Sequence, residues 1–288
     1  MNRELIELQI DGARALISRQ GAEWRGWEIG GRPLLWTPDG VHWDRTAPVL
    51  FPVCGWTRGG VARVAGETYP LGLHGFAKDE LFEVADQGAD HVTLRLTQTQ
   101  ATLAIYPFPF VLDVSYRLTG SGMEISGLVC NPGDTPMPYA FGLHPGFRWP
   151  LAGGDKSVHR LRFDQPERPE VPVIAPGGLF SQQFRPVPLT GSELPLEDAL
   201  FAREALCFLD VASRGLSFDG PGGRLRMEWE GFPHLIVWSR PGAPFLCLES
   251  WTGHGDPEGF EGDLFDKPSM IVLPPGAQGL HRVRYAFL

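Results

Sequence analysis

Two histidines occur in the same local sequence, Gly-Leu-His, and a glycine and a phenylalanine follow each of them within three residues. The first copy spans residues 72–76 and contains His74, and the second spans residues 142–147 and contains His144. Imidazole is the side chain best suited to moving a proton near neutral pH. Each histidine stands where an apolar run gives way to a turn, a common place for functional side chains. Taken singly, each is more easily explained as a core histidine that is hydrogen-bonded to the backbone.

A carboxylate that could complete an acid/base site is Glu249, at the end of the apolar run 245–249. Side chains of a strand alternate between its faces, so Phe245, Cys247 and Glu249 share one face. Loss of hydration at the end of an apolar strand raises the pKa of a carboxyl group and makes its carboxylate a better proton acceptor. The alternative is a glutamate at the rim of the sheet, solvated or paired with an arginine.

The elements that must position these side chains are predicted to be strands. The chain of 288 residues holds 36 glycines and 27 prolines, spread over many turns between short apolar runs. Such a pattern is typical of an all-β protein, and we expect a large antiparallel β-sandwich with little helix. No composition shift marks a linker, so one domain over residues 1–288 is expected. The segment 195–204 is predicted as the one helix and 168–188 as a long ordered loop.

Several classes of protein are disfavoured by composition. The net charge of −9 argues against a nucleic-acid-binding face. No apolar run reaches about 18 residues and the N-terminus lacks a signal-peptide pattern, so we expect no membrane span and a cytoplasmic location. The four cysteines form no C-x-x-C pair and the remaining histidines have no i, i+2 or i, i+4 spacing, so no metal site is predicted. Five carboxylates between 254 and 267 do not follow the EF-hand order, which favours a solvated loop.

Three blocks of the chain resemble the motifs of the aldose 1-epimerase (galactose mutarotase-like) family, in the same order. They read His-Gly-Phe-Ala-Lys-Asp at 74–79, Gly-Leu-His-Pro-Gly-Phe at 142–147 and Leu-Cys-Leu-Glu-Ser-Trp-Thr-Gly at 246–253. The resemblance runs from about Ala47 to the C-terminus. It implies a large β-sandwich with a sugar-binding groove across one sheet, consistent with the predicted strands.

The resemblance also implies an isomerase that interconverts the α and β anomers of a hexose or a hexose phosphate. A base removes the proton of the anomeric hydroxyl, an acid protonates the ring oxygen, and the open aldehyde closes again in either configuration. By similarity to the family, Glu249 is the base, His144 the acid, and His74 a partner that positions or polarises the sugar. One base and one acid suffice, so neither a metal nor an organic cofactor is expected, and the partner is a small sugar bound by a monomer or homodimer.

Aromatic side chains beside these motifs are candidates for stacking on the apolar face of a sugar, with ordinary packing as the alternative. They are Trp56, Phe147 and Trp251. Lys78 is a further candidate for substrate binding, and together with Arg58 it could accept a phosphorylated sugar if both reach the groove.

The chain departs from the family pattern at the segment that ends in Gly55. Many relatives carry arginine directly after this glycine, whereas here Trp56 follows and Arg58 comes two residues later. In a strand this spacing would place both side chains on one face, so Arg58 either replaces the usual arginine or caps the next turn. Ser250 also replaces a proline that often follows the family's glutamate. These departures leave the identity of the sugar open.

Two rival functions remain at this stage. A non-catalytic sugar-binding or sensing protein could use the same fold, because fold does not fix function. Binding alone would not require both an acid and a base, which favours the enzyme. A glycosidase would usually need two carboxylates flanking the bond, and only Glu249 is a candidate.

Overall fold

The structure is a computed structural model that describes residues 4–288. The first strands in chain order are β1 Leu5–Ile10, β2 Ala13–Ser18, β3 Trp24–Ile29, β4 Arg32–Pro33, β5 Val49–Leu50, β6 Val61–Val64, β7 Glu67–Pro70, β8 Glu83–Gln87, β9 His91–Thr97, β10 Val111–Leu118, β11 Gly122–Cys130, β12 Met137–Tyr139 and β13 Gly142–Leu143. They are followed by β14 Gly146–Arg148, β15 Arg160–Phe163, β16 Glu170–Ala175, β17 Leu179–Pro186, β18 Glu193–Pro195, β19 Leu206–Phe208, β20 Gly215–Gly220, β21 Gly223–Glu230, β22 His234–Trp238, β23 Phe245–Trp251, β24 Ile271–Leu273 and β25 Gln278–Phe287.

Helical structure within residues 4–288 is limited to one α-helical turn and five 3₁₀ turns. The α-helical turn is α1, Gln100–Leu103. The 3₁₀ turns are Arg58–Gly60, Ala77–Asp79, Lys156–Val158, Asp198–Phe201 and Leu264–Asp266. No helix in this part of the chain has the length and apolar character needed to span a bilayer.

Two large antiparallel sheets make up most of the molecule. The nine-stranded sheet has the order β18-β15-β20-β21-β25-β11-β10-β9-β8, and the six-stranded sheet has the order β19-β22-β23-β13-β5 with β14 also paired to β23. A four-stranded sheet, β1 to β4, adds the N-terminal part. Buried side chains of all three sheets form one continuous core. The prediction of a large antiparallel sandwich is therefore confirmed.

The strands of the nine-stranded sheet follow the alternation that the sequence predicts. In β9, Val92, Leu94 and Leu96 are buried, while the intervening residues are at least partly exposed. The same alternation continues through β10 and β11, which pair over their whole lengths. One face of this sheet therefore packs on the core and the other faces water.

Strand β23 differs, because all seven of its residues are buried. It lies between β22 and the interrupted strand formed by β13 and β14. Leu246 and Leu248 face the main core, whereas Cys247 and Glu249 face the opposite side. A strand covered on both faces can hold a carboxylate away from bulk water only where neighbouring loops close over it.

Two of the local predictions are wrong. The segment 168–188, predicted as a loop, forms the hairpin β16–β17, with a register shift between Pro172 and Ile174. Pro172 lies at the shift, and Pro176, Gly177 and Gly178 form the turn, so these residues do not exclude the two strands. The predicted helix 195–204 is reduced to the 3₁₀ turn Asp198–Phe201, because Glu193–Pro195 pairs as strand β18 and the following residues bury Leu200 and Phe201.

The loop that leads into β5 is held by a buried carboxylate. Glu23 is only 3% exposed, and its Oε1 accepts hydrogen bonds from the backbone N–H groups of Thr46 (2.6 Å) and Ala47 (3.1 Å). Its Oε2 accepts one from the Arg25 guanidinium at 2.9 Å. Charge-assisted bonds of this kind fix a loop firmly. This loop carries Trp43 towards the site described below.

We expect Glu23→Ala to lower the free energy of unfolding by about 2–3 kcal/mol, since two buried N–H groups would lose their acceptor. Urea denaturation followed by circular dichroism measures this change. Glu7→Ala is the matched control, because Glu7 is exposed and, among residues 4–288, pairs only with Arg14. A midpoint for Glu23→Ala equal to that of Glu7→Ala would contradict the assignment.

Candidate functional site

A cavity of about 810 Å³ opens over the six-stranded sheet, on the face opposite the main core. Strands β22 and β23 form its floor, and loops from the N-terminal half and the β16–β17 hairpin form its walls. The three side chains predicted to act as acid, base and positioning partner, His144, Glu249 and His74, all line it. Residues 144 and 249 reach it from adjacent strand segments and residue 74 from a separate loop.

Glu249 lies on the cavity floor and is only 1% exposed, not at a solvated rim. Strand β23 continues past it to Trp251, and it pairs across the sheet with Ile236 of β22. Burial raises the pKa of the Glu249 carboxyl well above its usual range. Its Oε2 accepts no hydrogen bond from the described residues. A buried carboxyl oxygen without a protein partner is costly, and such groups are typical of functional sites.

An interruption of the sheet places His144 beside Glu249. Strand β13 pairs with β23 at Trp251 and Ser250, and β14 resumes the pairing at Cys247. Pro145, between them, has no N–H to donate to the ladder, and the strand bends there. The break lies opposite Glu249.

The two side chains approach without forming a regular hydrogen bond. His144 Nε2 lies 3.3 Å from Glu249 Oε2, and His144 Nδ1 has no hydrogen-bond partner among the described residues. The imidazole ring lies between Trp43, at a centroid distance of 5.0 Å, and Trp238, at 5.6 Å. Burial lowers the pKa of His144 to about 3. Burial thus favours the neutral forms of both groups, and their polar atoms remain available to a ligand.

His74 is held by a turn with unusual backbone geometry. Its φ is 63°, and the following Gly75 has φ 66° and sits so close to the Phe51 carbonyl that any side chain there would clash. The backbone N–H of His74 donates to Gly55 O (2.9 Å), and Gly55 N–H donates to His74 Nδ1 (3.1 Å). With Nδ1 as acceptor, the neutral ring carries its proton on Nε2.

The imidazole of His74 lies 5.6 Å from that of His144 and 5.3 Å from the Trp251 ring, measured between centroids. Burial, and then the neighbouring His144 and Lys78, lower the pKa of His74 well below its usual value. The ring is therefore a neutral hydrogen-bond donor in the cavity.

Three of the residues predicted to bind substrate also line the cavity: Trp56, Trp251 and Lys78. Trp56 is 41% exposed and lies directly against Gly178 in the turn of the β16–β17 hairpin, where a Cβ would collide with it. Trp251 fits over Gly142, whose missing Cβ would lie 2.9 Å from the indole Cδ1. Lys78 Nζ donates to the Gly75 carbonyl.

The prediction for Phe147 is wrong. Phe147 is fully buried and packs with Trp24 of β3 and Tyr285 of β25, at centroid distances of 6.3 and 5.3 Å. It pairs with Leu246, so alternation turns it towards the core face rather than the cavity. Its ring joins three sheets.

The prediction for Arg58 is also wrong. Residues Arg58–Gly60 form a 3₁₀ turn rather than a strand, so Arg58 does not share a face with Trp56. Its guanidinium pairs with Glu261 at 2.6 Å and does not line the cavity. Within the same acidic segment, Asp256 pairs with the buried Lys267 at 2.8 Å.

Sequence reasoning missed the aromatic side chains that flank His144 and the residues of the hairpin wall. They are Trp43, Trp238, Ile174 and Phe180. Trp238 ends a predicted buried strand, and alternation with Ile236 could have placed it on the cavity face. Trp43 carries no periodic signal, because it lies in a loop.

Three donor atoms in the floor lie close enough to hold a cation. One ligand atom from each of His144, Cys247 and Glu249 lies within 4.8 Å of the other two, and all three residues are buried. Burial raises the pKa of the Cys247 thiol.

Comparison with known proteins points to one family. The pattern that defines the aldose 1-epimerase family matches residues 4–200. Protein LacX of Lactococcus lactis subsp. lactis is 32% identical over 257 residues, which cover 85% of this chain and 86% of LacX. A galactose mutarotase-like protein from Lactobacillus casei ATCC 334 has a TM-score of 0.92 at 27% identity, covering 99% of this chain and 100% of that one. A galactose mutarotase related enzyme from Lactobacillus acidophilus has a TM-score of 0.90 at 26% identity, covering 99% and 97%.

In the free protein we expect the His144 ring to remain neutral down to about pH 4, because burial lowers its pKa to about 3. Below about pH 6.5 this histidine binds a proton in the unfolded chain but not in the folded protein. The free energy of unfolding therefore decreases as the pH is lowered. This residue alone should remove about 2 kcal/mol between pH 7 and pH 5. NMR titration of the ring and denaturation of wild type and His144→Gln measure both effects. A ring pKa near 6.5 would refute the prediction.

Proposed function

Because this chain belongs to the aldose 1-epimerase family, we propose that it is an isomerase that interconverts the α and β anomers of a free hexose. The observation that carries the proposal is the approach of two buried residues on the cavity floor, with His144 Nε2 3.3 Å from Glu249 Oε2. Neither atom is committed to a regular hydrogen bond with the other. An acid and a base are thus available at the same place to the ring oxygen and the anomeric hydroxyl of one sugar.

In the proposed reaction, Glu249 accepts the proton of the anomeric hydroxyl and His144 donates a proton to the ring oxygen. The bond between the anomeric carbon and the ring oxygen breaks, leaving an open-chain aldehyde. Rotation about the adjacent carbon–carbon bond presents the other face of the carbonyl, and the two proton transfers run in reverse. A well-placed acid or base contributes about 10²- to 10⁴-fold each.

The proposal requires the pair to hold one proton in total, and burial supports this. A carboxyl with a raised pKa and an imidazole with a lowered pKa have no net charge when only the carboxyl carries the proton. The reactive form, carboxylate with imidazolium, differs only by movement of that proton between Glu249 and His144. Ring opening returns the pair to the uncharged arrangement, so neither step requires a net charge in the buried floor.

His74 is proposed to hold the sugar through the proton on its Nε2. Trp251, which lies 5.3 Å from His74 between ring centroids, is proposed to stack on the apolar face of the sugar. Trp56, on the opposite wall, offers a second such face in place of the arginine of many relatives.

Two of the three cations that line the cavity, Lys78 and Arg45, are already paired with a carboxylate, whereas Arg240 forms no ion pair with the described residues. Lys78 Nζ lies 3.1 Å from Asp79 Oδ2, and Arg45, another cavity residue, lies 2.6 Å from Asp79 Oδ1. Arg58 is turned away. A phosphate at this wall would have to compete with the Asp79 carboxylate for both cations.

We expect Glu249→Gln to reduce the rate of anomer exchange by at least about 10²-fold, because the amide cannot accept the hydroxyl proton. Two-dimensional NMR exchange on a panel of free hexoses and hexose phosphates measures this rate. Sugar binding, followed by calorimetry, should persist because the amide has nearly the same shape. Glu204→Gln is the matched control, since Glu204 is an exposed carboxylate lining the same cavity. Full exchange in Glu249→Gln would refute the role of the base, and sugar binding by wild type without exchange would favour a sensor.

We expect kcat/KM for the favoured hexose not to fall as the pH is lowered from about 7 to about 5. This parameter reports the ionisation of the free enzyme, and burial lowers the pKa of His144 to about 3. An exposed histidine would instead give an inflection near its usual value of about 6.5. Polarimetry across this range, corrected for the uncatalysed rate, decides between them; an inflection near pH 6.5 would contradict the buried pair.

A further inference from the structure

We propose that His144, Cys247 and Glu249 form a binding site for one zinc-class divalent cation, and that its occupation blocks sugar turnover. Strand β23 supplies two of these residues, and alternation places both on the sheet face opposite the main core. Glu249 lines the cavity there, and Cys247 lies beside it beneath Trp36 and Phe245. The break between β13 and β14 supplies the third. Residues 247 and 249 are close in the chain, but residue 144 joins them only in the folded sheet.

The distances suit a tetrahedral cation. Nitrogen and oxygen ligands about 2.0–2.1 Å from zinc are about 3.3 Å apart at a tetrahedral angle. His144 Nε2 and Glu249 Oε2 lie 3.3 Å apart. The donor atoms of all three residues fall within 4.8 Å of one another. A side-chain movement of about 1 Å would bring the Cys247 sulfur, about 2.3 Å from zinc, to its place.

The two non-sulfur donors are not committed to other partners. Glu249 Oε2 accepts no hydrogen bond from the residues that the structure describes, although the residue is only 1% exposed. At 3.3 Å, His144 Nε2 is not aligned for a regular hydrogen bond to it. A buried, unpartnered carboxyl oxygen beside an imidazole nitrogen is the arrangement that a metal ion would satisfy.

The ligand set also selects the class of cation. Thiolate, imidazole and carboxylate together suit zinc, cobalt(II) or cadmium, whereas magnesium and calcium prefer oxygen ligands alone. On binding, the Cys247 thiol and the Glu249 carboxyl release their protons to solvent. The thiolate and carboxylate then balance the charge of the cation, which offsets the cost of placing it in a buried floor. The fourth position faces the cavity, where water can complete the tetrahedron.

Inhibition follows if the proposed function holds, because the metal would occupy the atoms assigned to the acid and the base. Metal binding itself does not depend on that function. Cys247 has no part in the proposed proton transfers, so its removal separates the two. Cys207 is a matched control, since it is a buried thiol lining the same cavity but outside the group of three donors.

The binding test is titration of chelator-treated protein with cobalt(II) chloride, followed by optical absorption, and with zinc chloride, followed by calorimetry. We expect one site per chain and a thiolate-to-cobalt absorption band in wild type and Cys207→Ala. Cys247→Ala should lose the band and bind zinc at least about 10-fold more weakly. Circular dichroism and thermal unfolding establish whether each variant is folded. If Cys247→Ala does not fold, Cys247→Ser replaces it in the titration. The same band in a folded Cys247 variant, or no binding to wild type, would overturn the site.

The inhibition test is NMR anomer exchange with added zinc chloride or magnesium chloride. Zinc should inhibit wild type and Cys207→Ala, magnesium should inhibit neither, and Cys247→Ala should need at least about 10-fold more zinc, each relative to its own metal-free rate. Equal inhibition of wild type and Cys247→Ala, or bound zinc without inhibition, would overturn the inhibitory role. If wild type showed no exchange with any sugar, the proposed function would fail while the cobalt titration still decided the metal site.

Discussion

The main physical constraint in the structure is the burial of the Glu249 carboxyl and the His144 imidazole on one face of a sheet. Burial favours the uncharged form of each group. Glu249 and His144 are 1% and 8% exposed, and among residues 4–288 neither forms an ion pair with a lysine, arginine or aspartate. Burying such groups costs free energy that the surrounding apolar packing must offset. The fully buried strand β23, the two tryptophans beside His144 and the core beneath the sheet supply that packing. The same burial raises the pKa of the Glu249 carboxyl and lowers the pKa of the His144 ring.

Local irregularities, rather than regular strand structure, aim the polar side chains. Pro145 interrupts the ladder opposite Glu249, and the missing Cβ of Gly142 leaves room for Trp251. Gly75 allows the turn of His74 to lie directly on the Phe51 carbonyl. Pro145, Gly142 and Gly75 all lie within the sequence motifs that contain the two histidines. These unreactive residues are needed because they set the positions of the reactive side chains.

The same compact donor set supports two kinds of chemistry. The proposed proton exchange with a sugar uses two polar atoms 3.3 Å apart, and the proposed cation site uses the same two atoms with a thiol beside them. The requirement is common to both: buried donors that no protein group satisfies. Cys247 distinguishes the two proposals, because it is a ligand of the proposed cation site but takes no part in the proposed proton transfer to and from the sugar. Four tryptophans line the cavity and offer the proposed sugar flat apolar faces on which to stack: Trp43, Trp56, Trp238 and Trp251.

Strand alternation, the antiparallel class and the candidate chemistry of Glu249, His144 and His74 could all be predicted from the sequence. These follow from local periodicity and from motifs whose residue types and order are visible in one chain. Which side chains line the cavity and which face the core became clear only from the folded structure. It turned Phe147 into the core, paired Arg58 with Glu261 in a turn, and formed a hairpin from a proline-rich segment. The physical reason is that burial and charge pairing depend on neighbours distant in sequence, whose positions local periodicity does not specify.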